Sequence, residues 1–419
     1  MSSGPYIKVS SYEAKKGEFD KCLLLYSGGL DTSCMLRWIP EHYGCEIYAL
    51  IVDIGQTADN LQAIHKKALD LGAIECIIYD AKEEFADQIL SQCIKANGNY
   101  QGDVYQGGYH LGCPLGRVII SQVAVKVAAR FGCQVIAHGC TGRGNDQVRF
   151  DSYIITLNPS LKIIAPVREW GMGREEEIYY AKKNNIPIEQ TKSSPFSYDE
   201  NMWSNTGEGG IIEDIQLVAP VEKILKWCNP IDKTPDIEET ILIEFDRGIP
   251  VSLDGKYMKL YDIIKAVNKI GSKHGVGVVQ LIEDRIVGLK VRGIYENPGA
   301  AILIAAHKKL EMLVSTREEN ELSQMIQNKW SYLVYGAQWF HPLMGHLNAY
   351  INHQNDKISG TVTVSLYRGN ITVVALTSPS SLFNPSLATF ERNNSFNTNA
   401  SASFIELYSL PMRTAYNLS

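Results

Sequence analysis

Residues Leu24–Ser33 read LLYSGGLDTS: an apolar run, then two glycines, then small hydroxyl residues around an aspartate. Cys22–Tyr26 is short and apolar enough for a buried strand, and Thr32–Ile39 has helical character that Pro40 ends. A chain that leaves a strand through Gly28-Gly29 and opens a helix can use backbone conformations closed to other residues. Successive N–H groups then converge on one point. The helix start adds partial positive charge, and Ser27, Thr32 and Ser33 add hydroxyl donors. The stretch reads as a cradle for an anion, phosphate above all. It is not a P-loop, whose lysine it lacks, nor the GxGxxG pattern. Taken alone, a Gly-Gly pair after a strand is also an ordinary turn, so the surroundings must decide.

Those surroundings alternate. Glu46–Val52 (EIYALIV) is a second strand, followed by a helix within Asp59–Leu71. Cys76–Tyr79 and Val135–Ala137 are two more strands, with helices near Glu83–Ile94 and Leu115–Phe131. Arg174–Asn184 is a further helix, ended by Ile186-Pro187, and its Glu175-Glu176-Glu177 run suits a solvated first turn. This alternation predicts a doubly wound parallel sheet with its ligand at the carboxyl ends of the strands, where Leu24–Ser33 lies. From about Lys192 the texture changes. SSPFSYDENMWSNTGEGG is rich in turn formers and reads as a linker or binding loop. Strands at Thr240–Phe245 and Val276–Glu283 flank a helix near Tyr261–Ile270, and a long helical stretch runs from about Ala300 past Met325. Gly360–Leu376 alternates on both sides of Arg368-Gly369-Asn370, a hairpin signal. The expected architecture is α/β: a doubly wound nucleotide-binding domain over 18–190, an α+β domain over 191–382 and a tail over 383–419. Polar NNSFNTNASAS makes that tail either mobile or ordered by a partner subunit.

The 419 residues are 45% hydrophobic and 21% charged, a globular composition in a chain long enough for more than one core. A net charge of −6 argues against a nucleic-acid surface. Nine cysteines form no CxxC pair, so no zinc knuckle or redox motif is visible. Several lie in apolar runs, as reduced core residues do. The start lacks the apolar core of a signal peptide, and no stretch approaches the roughly 18 apolar residues of a membrane span. A cytoplasmic protein without membrane contact is expected. His341 and His346 have the wrong spacing for two ligands on one helical face, and no GxSxG, HExxH or cysteine–histidine pattern occurs.

A second motif, Ala137–Phe150, reads AHGCTGRGNDQVRF. Gly139, Gly142 and Gly144 follow a strand, so they edge the same end of the sheet as Gly28 and Gly29. Thr141, Asn145 and Asp146 are compact polar groups able to hold an amino acid's carboxylate and ammonium, and Arg149 can pair bidentately with a carboxylate. Asn145-Asp146 alone would be a turn or helix cap. His138 reads as a structural hydrogen-bonder beside the loop.

SGGLDTS resembles the pyrophosphate loop of the ATP pyrophosphatase superfamily, SGGxDS with one residue inserted. AHGCTGRGNDQVRF is similar to the second signature of the argininosuccinate synthetase family. VDIGQ (52–56), APVREW (165–170), SYDEN (197–201) and RGIYE (292–296) match further blocks of that family in order. The resemblance covers roughly residues 20 to 380. It implies an adenine nucleotide α-hydrolase-like domain, a synthetase domain and a C-terminal oligomerisation tail, assembled as a homotetramer. It also implies a C–N ligase of arginine biosynthesis that joins citrulline to aspartate through citrullyl-AMP, with ATP as co-substrate, Mg²⁺ as metal, and AMP and diphosphate as products.

By the same resemblance, Tyr26, Ser27, Gly28, Gly29, Leu30, Asp31, Thr32, Ser33, Val52 and Gly139 bind ATP, with Asp31 on the metal. Thr141, Asn145 and Asp146 bind aspartate; Tyr109, Asn145, Arg149, Ser197, Thr206, Glu283 and Tyr295 bind citrulline. Ser27, Asp31 and Asp146 are the residues expected to carry catalysis. Outside that context Tyr295 reads as a core or rim residue and Glu283 as a solvated charge. The chain departs from the family pattern in three places. Thr206 stands where serine is common, Cys113-Pro114 where many relatives carry small hydroxyl residues, and Val291 where a serine usually precedes the RGIYE block. Two rival readings are a related ligase acting on a different ureido or amino-acid substrate, and an ATP-binding regulator without catalysis.

Overall fold

Apolar runs in the first half pair side by side in one direction. The computed structural model describes residues 16–57, 61–103, 107–187, 196–388 and 397–418. Within them lie β1 (Lys21–Leu25), β2 (Glu46–Asp53), β3 (Glu75–Asp80), β4 (Tyr100–Asp103), β5 (Gly107–Tyr109), β6 (Val135–Ala137) and β7 (Lys162–Ile164). A five-stranded parallel sheet has the order β3-β2-β1-β6-β7, with Leu24 beside Ala49 on one side and Ala137 on the other. The order reverses between β1 and β6. Such a reversal opens a crevice at the carboxyl ends of the two strands, and both glycine motifs leave the sheet there. β7, Lys162–Ile164, had no sequence prediction.

The helix after β1 spans Leu30–Tyr43 and continues past Pro40, where it was expected to end. Proline so near the end forfeits one backbone bond, and the extra turn buries Tyr43 before Gly44, at φ +75°, closes the helix. Helix Asp146–Leu157 had no sequence prediction, because polar site residues fill its first turn. In helix Arg174–Lys183, Glu177 is buried rather than solvated. Helix Gly112–Phe131 has the length and apolar character of a membrane span, against the sequence expectation, but most of its apolar window is buried in the protein. It packs as a core helix.

In the second half the segment expected to be a linker or loop is, from Ser197 onward, a hairpin. Its strands are β8 (Ser197–Asn201) and β9 (Ser204–Glu208). There follow β10 (Glu239–Asp246), β11 (Ile249–Leu253), β12 (Lys256–Tyr257), β13 (Val278–Asp284), β14 (Lys290–Glu296), β15 (Gly360–Tyr367) and β16 (Asn370–Thr377). They form two antiparallel sheets, β13-β14-β9-β8 and β12-β11-β10-β15-β16. Arg368 and Gly369, both at positive φ, make the tight β15–β16 turn. The long helical stretch is two helices, Pro298–Val314 and Arg317–Tyr335. Thr316 and Glu319 form a reciprocal capping box that starts the second.

One apolar cluster runs from Leu23 and Leu50 in the parallel sheet through Trp203 and Leu303 to Leu366. A second, with Leu24, Met35 and Ile164, fills the opposite face. The second half is thus seated on one face of the parallel sheet. The nine cysteines are free, and all but Cys113 and Cys140 are buried. The tail's Ala400–Tyr408 and Leu410–Leu418 are helices, with Phe404, Tyr408 and Tyr416 exposed.

Candidate active site

Gly28 has φ +79°, and a Cβ built on it would lie 2.8 Å from Ile64 Cγ2. Both facts demand glycine. Gly29 is the extended N-cap of helix Leu30–Tyr43 and has no side-chain cap, so the orphan N–H groups of the first turn face the loop. Hydroxyls brace it: Ser27 Oγ lies 3.1 Å from Thr32 Oγ1, and Tyr26 Oη lies 3.2 Å from Ser33 Oγ. Lys67 Nζ donates to the Gly28 carbonyl at 3.0 Å. Asp31 sits half-buried in the same first turn. Val52 is the penultimate residue of the neighbouring β2, where Gln56 Nε2 donates to its carbonyl at 3.0 Å and Gly55 turns the chain at φ +82°.

On the other side of the crevice, a Cβ on Gly139 would lie 3.3 Å from Thr32 Cγ2. The two glycine motifs therefore touch. His138 accepts the Cys140 N–H on Nδ1 at 3.3 Å and faces Asp151 at 2.7 Å through Nε2. It is a structural hydrogen-bonder, as read from the sequence.

The facing wall is built by strand register. Ser197 and Asp199 pair with Glu208 and Thr206; Thr206 pairs with Tyr295; Val291 pairs with Glu283. Directly paired residues share a face of the sheet, so these seven side chains form one surface. Gly293 lies in the same row, and a Cβ there would strike the Tyr295 phenol oxygen at 2.6 Å. The glycine of RGIYE makes room for its own tyrosine. A cavity of about 400 Å³ opens at the end of this wall, beside Glu208, Arg285 and Val291.

Charges bind the two walls together. Asp146 accepts from Arg117 at 2.8 Å and 3.1 Å, from Arg149 at 2.9 Å, and from the Cys113 thiol at 3.2 Å. Arg117 also pairs with Asp199 across the halves. Burial alone would raise Asp146, but Arg117 and Arg149 overcome it and hold the carboxyl well below the usual range. Burial pushes the Cys113 thiol up, so it donates as S–H. Cys113, Asp146 and Asp199 bring three ligand-type atoms within 4.8 Å of one another. Arg117 already supplies the positive charge in that space. Glu283 accepts from Tyr295 Oη, from Tyr335 Oη and, at 3.3 Å, from Asn145 Nδ2. Tyr109 Oη accepts the Cys113 N–H at 2.8 Å, and its ring packs 4.4 Å from that of Tyr295. Thr206 Oγ1 is buried and without a partner among the described residues, which points to a missing ligand group.

The model of the Arginosuccinate synthase N-terminal HUP domain matches residues 21–187, and that of the C-terminal domain matches residues 196–415. The chain belongs to the argininosuccinate synthase family. Curated argininosuccinate synthases from Symbiobacterium thermophilum, Carboxydothermus hydrogenoformans and Staphylococcus aureus are each 42% identical to it. The alignments cover 94% of this chain and 96%, 97% and 96% of theirs, respectively. Members of this family are C–N ligases of arginine biosynthesis.

Several residues of the family blocks are structural. Glu296 of RGIYE accepts the N–H groups of Lys226, Trp227 and Cys228 at 2.7–2.9 Å. In SYDEN, Glu200 accepts the Thr57 N–H at 2.9 Å and Asn201 donates to the Gly112 carbonyl at 2.9 Å, tying hairpin β8–β9 to the first half. Tyr109, Asn145, Asp146, Arg149, Glu283 and Tyr295 meet in one buried cluster with Thr206 on the same wall, whereas Thr141 and Ser197 lie exposed at its rim. Arg117, Asp199 and Tyr335 belong to the cluster but were not singled out from the sequence. Asp199 stands inside SYDEN and Arg117 three residues after Pro114, so both were within reach. Tyr335 had no local signal.

Proposed function

We propose that this chain joins citrulline to aspartate at the expense of ATP, the reaction named for its family, as a cytoplasmic homotetramer. The ureido oxygen of citrulline attacks the α-phosphorus of ATP, the α–β phosphoanhydride bond breaks, and diphosphate leaves. Citrullyl-AMP remains. The α-amino group of aspartate then attacks the ureido carbon, AMP departs, and argininosuccinate forms. Protein groups need only bind, orient and stabilise charge.

In this reading Tyr26–Ser33, with Val52 and Gly139 beside them, hold ATP, and the N–H groups after Gly29 meet the departing diphosphate. Thr141, Asn145 and Asp146 take aspartate. Tyr109, Asn145, Arg149, Ser197, Thr206, Glu283 and Tyr295 take citrulline: the Arg149 guanidinium suits a carboxylate, and the Glu283 carboxylate suits an ammonium. Asp31 fits Mg²⁺, since a single carboxylate beside substrate phosphates is a common donor set for that ion. When bound, Mg²⁺ offsets negative charge on the phosphates.

The contact of the two glycine motifs at the reversal of strand order carries this reading. It joins an anion cradle to a cluster of amino-acid-sized polar groups. The test is ATP–pyrophosphate exchange with and without citrulline. Citrulline-dependent exchange is expected. Exchange with another ureido or amino-acid substrate alone would reassign the substrate, and none under any condition would leave a regulator. Asp31→Asn is expected to abolish exchange while the circular-dichroism spectrum stays unchanged; an active variant would remove Asp31 from the metal role.

A further inference from the structure

We infer that Tyr335, at the last residue of helix Arg317–Tyr335, is the positioning residue of the citrulline site; the inference rests on the function proposed above. Its phenol lies between two proposed substrate ligands. Asn145 Oδ1 accepts the Ile286 N–H at 2.9 Å, which fixes the orientation of that amide. Asn145 Nδ2 therefore points outward and donates to Tyr335 Oη at 2.8 Å. Tyr335 in turn donates its single hydrogen to Glu283 Oε1. The bond runs in one direction, with the Glu283 oxygen as its acceptor.

The main chain of the same residue holds a third ligand. A helix leaves its last carbonyls without intrahelical donors. The Tyr335 carbonyl is filled by Arg149, from Nε at 3.3 Å and Nη2 at 3.1 Å. Arg149 Nη1 also binds Asp146 at 2.9 Å. Nη1 also reaches the Cys113 sulfur at 3.7 Å, so of five N–H groups on the guanidinium one, on Nη2, remains for a ligand carboxylate. The Tyr335 ring is buried, stacked at 3.7 Å and 4° on Tyr100, so both contacts come from a fixed group. One residue thus aligns the anion-binding and cation-binding ends of an amino-acid site.

Tyr335→Phe keeps the ring, the stack and the carbonyl, and removes only the phenol oxygen. The expected result is a rise of about tenfold or more in KM for citrulline, the scale of a lost hydrogen bond to a charged group. KM for ATP should stay within about twofold, and the circular-dichroism spectrum should be unchanged. A double-mutant cycle with Glu283→Gln should be strongly non-additive in KM for citrulline. An unchanged KM for citrulline, or equal rises for all three substrates, overturns the inference, since a general packing defect would not single out one substrate. Wild-type protein lacking citrulline-dependent exchange would overturn the proposed function and this inference with it. Active wild type with an unaffected Phe variant overturns the inference alone.

Discussion

Asp146 is the charge centre of the site: its carboxylate, with the side chain a quarter exposed, lies between Arg117 and Arg149. Because its folded pKa is held below the unfolded value of about 3.9, its ionic contribution is fully present above that pH. It is lost as pH falls towards the folded value. Asp146→Asn should therefore destabilise the protein at neutral pH by about 2 kcal/mol. That is less than for a fully buried pair, since Asp199 still faces Arg117. Thermal melts of both proteins from about pH 7 to about pH 3 should show the gap constant to about pH 4 and narrowing below it. A gap independent of pH would show that Asp146 does not carry the linkage. Residues of this kind were legible as types in a motif, but their partners were not. Asn145 and Tyr335 are 190 positions apart in sequence, and no periodicity records that they meet.

Elements were legible where one rule dominated. Strands β1, β2, β3 and β6 are continuous apolar runs because a parallel sheet covered on both faces makes them so. Legibility failed where two signals overlapped. Apolar periodicity runs on from helix Pro298–Val314 into Arg317–Tyr335, and only Ser315-Thr316 with Glu319 marks the break. There the Thr316 hydroxyl accepts the Glu319 N–H at 3.2 Å, and the Glu319 carboxylate accepts the Thr316 N–H at 2.8 Å. Thr316→Ala should cost about 1 kcal/mol, a fall of about 2 °C in Tm for so long a chain. Differential scanning calorimetry reads it directly. Since Tyr335 ends the helix that Thr316 starts, an unchanged KM for citrulline in this variant would show that cap and site are energetically separate.

At the scale of the whole molecule, the tail sets a problem that one chain leaves unsolved. Its polar sequence reads as an end either mobile or ordered by a partner subunit, and its described residues include two helices, Ala400–Tyr408 and Leu410–Leu418, whose apolar side chains are exposed. Tyr408 is 70% exposed and Leu418 84% exposed. Apolar side chains clustered on two adjoining helices mark a contact surface. The proposed homotetramer supplies the cover. The full chain should sediment at four times its mass of 46.7 kDa. A chain ending at Leu382, where the backbone still bonds to Leu313 at 3.0 Å, should fold but sediment as a smaller species. Its exchange activity should persist, because the buried site residues named above precede the tail. A truncated chain that remains tetrameric would move the subunit contact away from the tail, and a full chain that is monomeric would leave these helices without the assigned role.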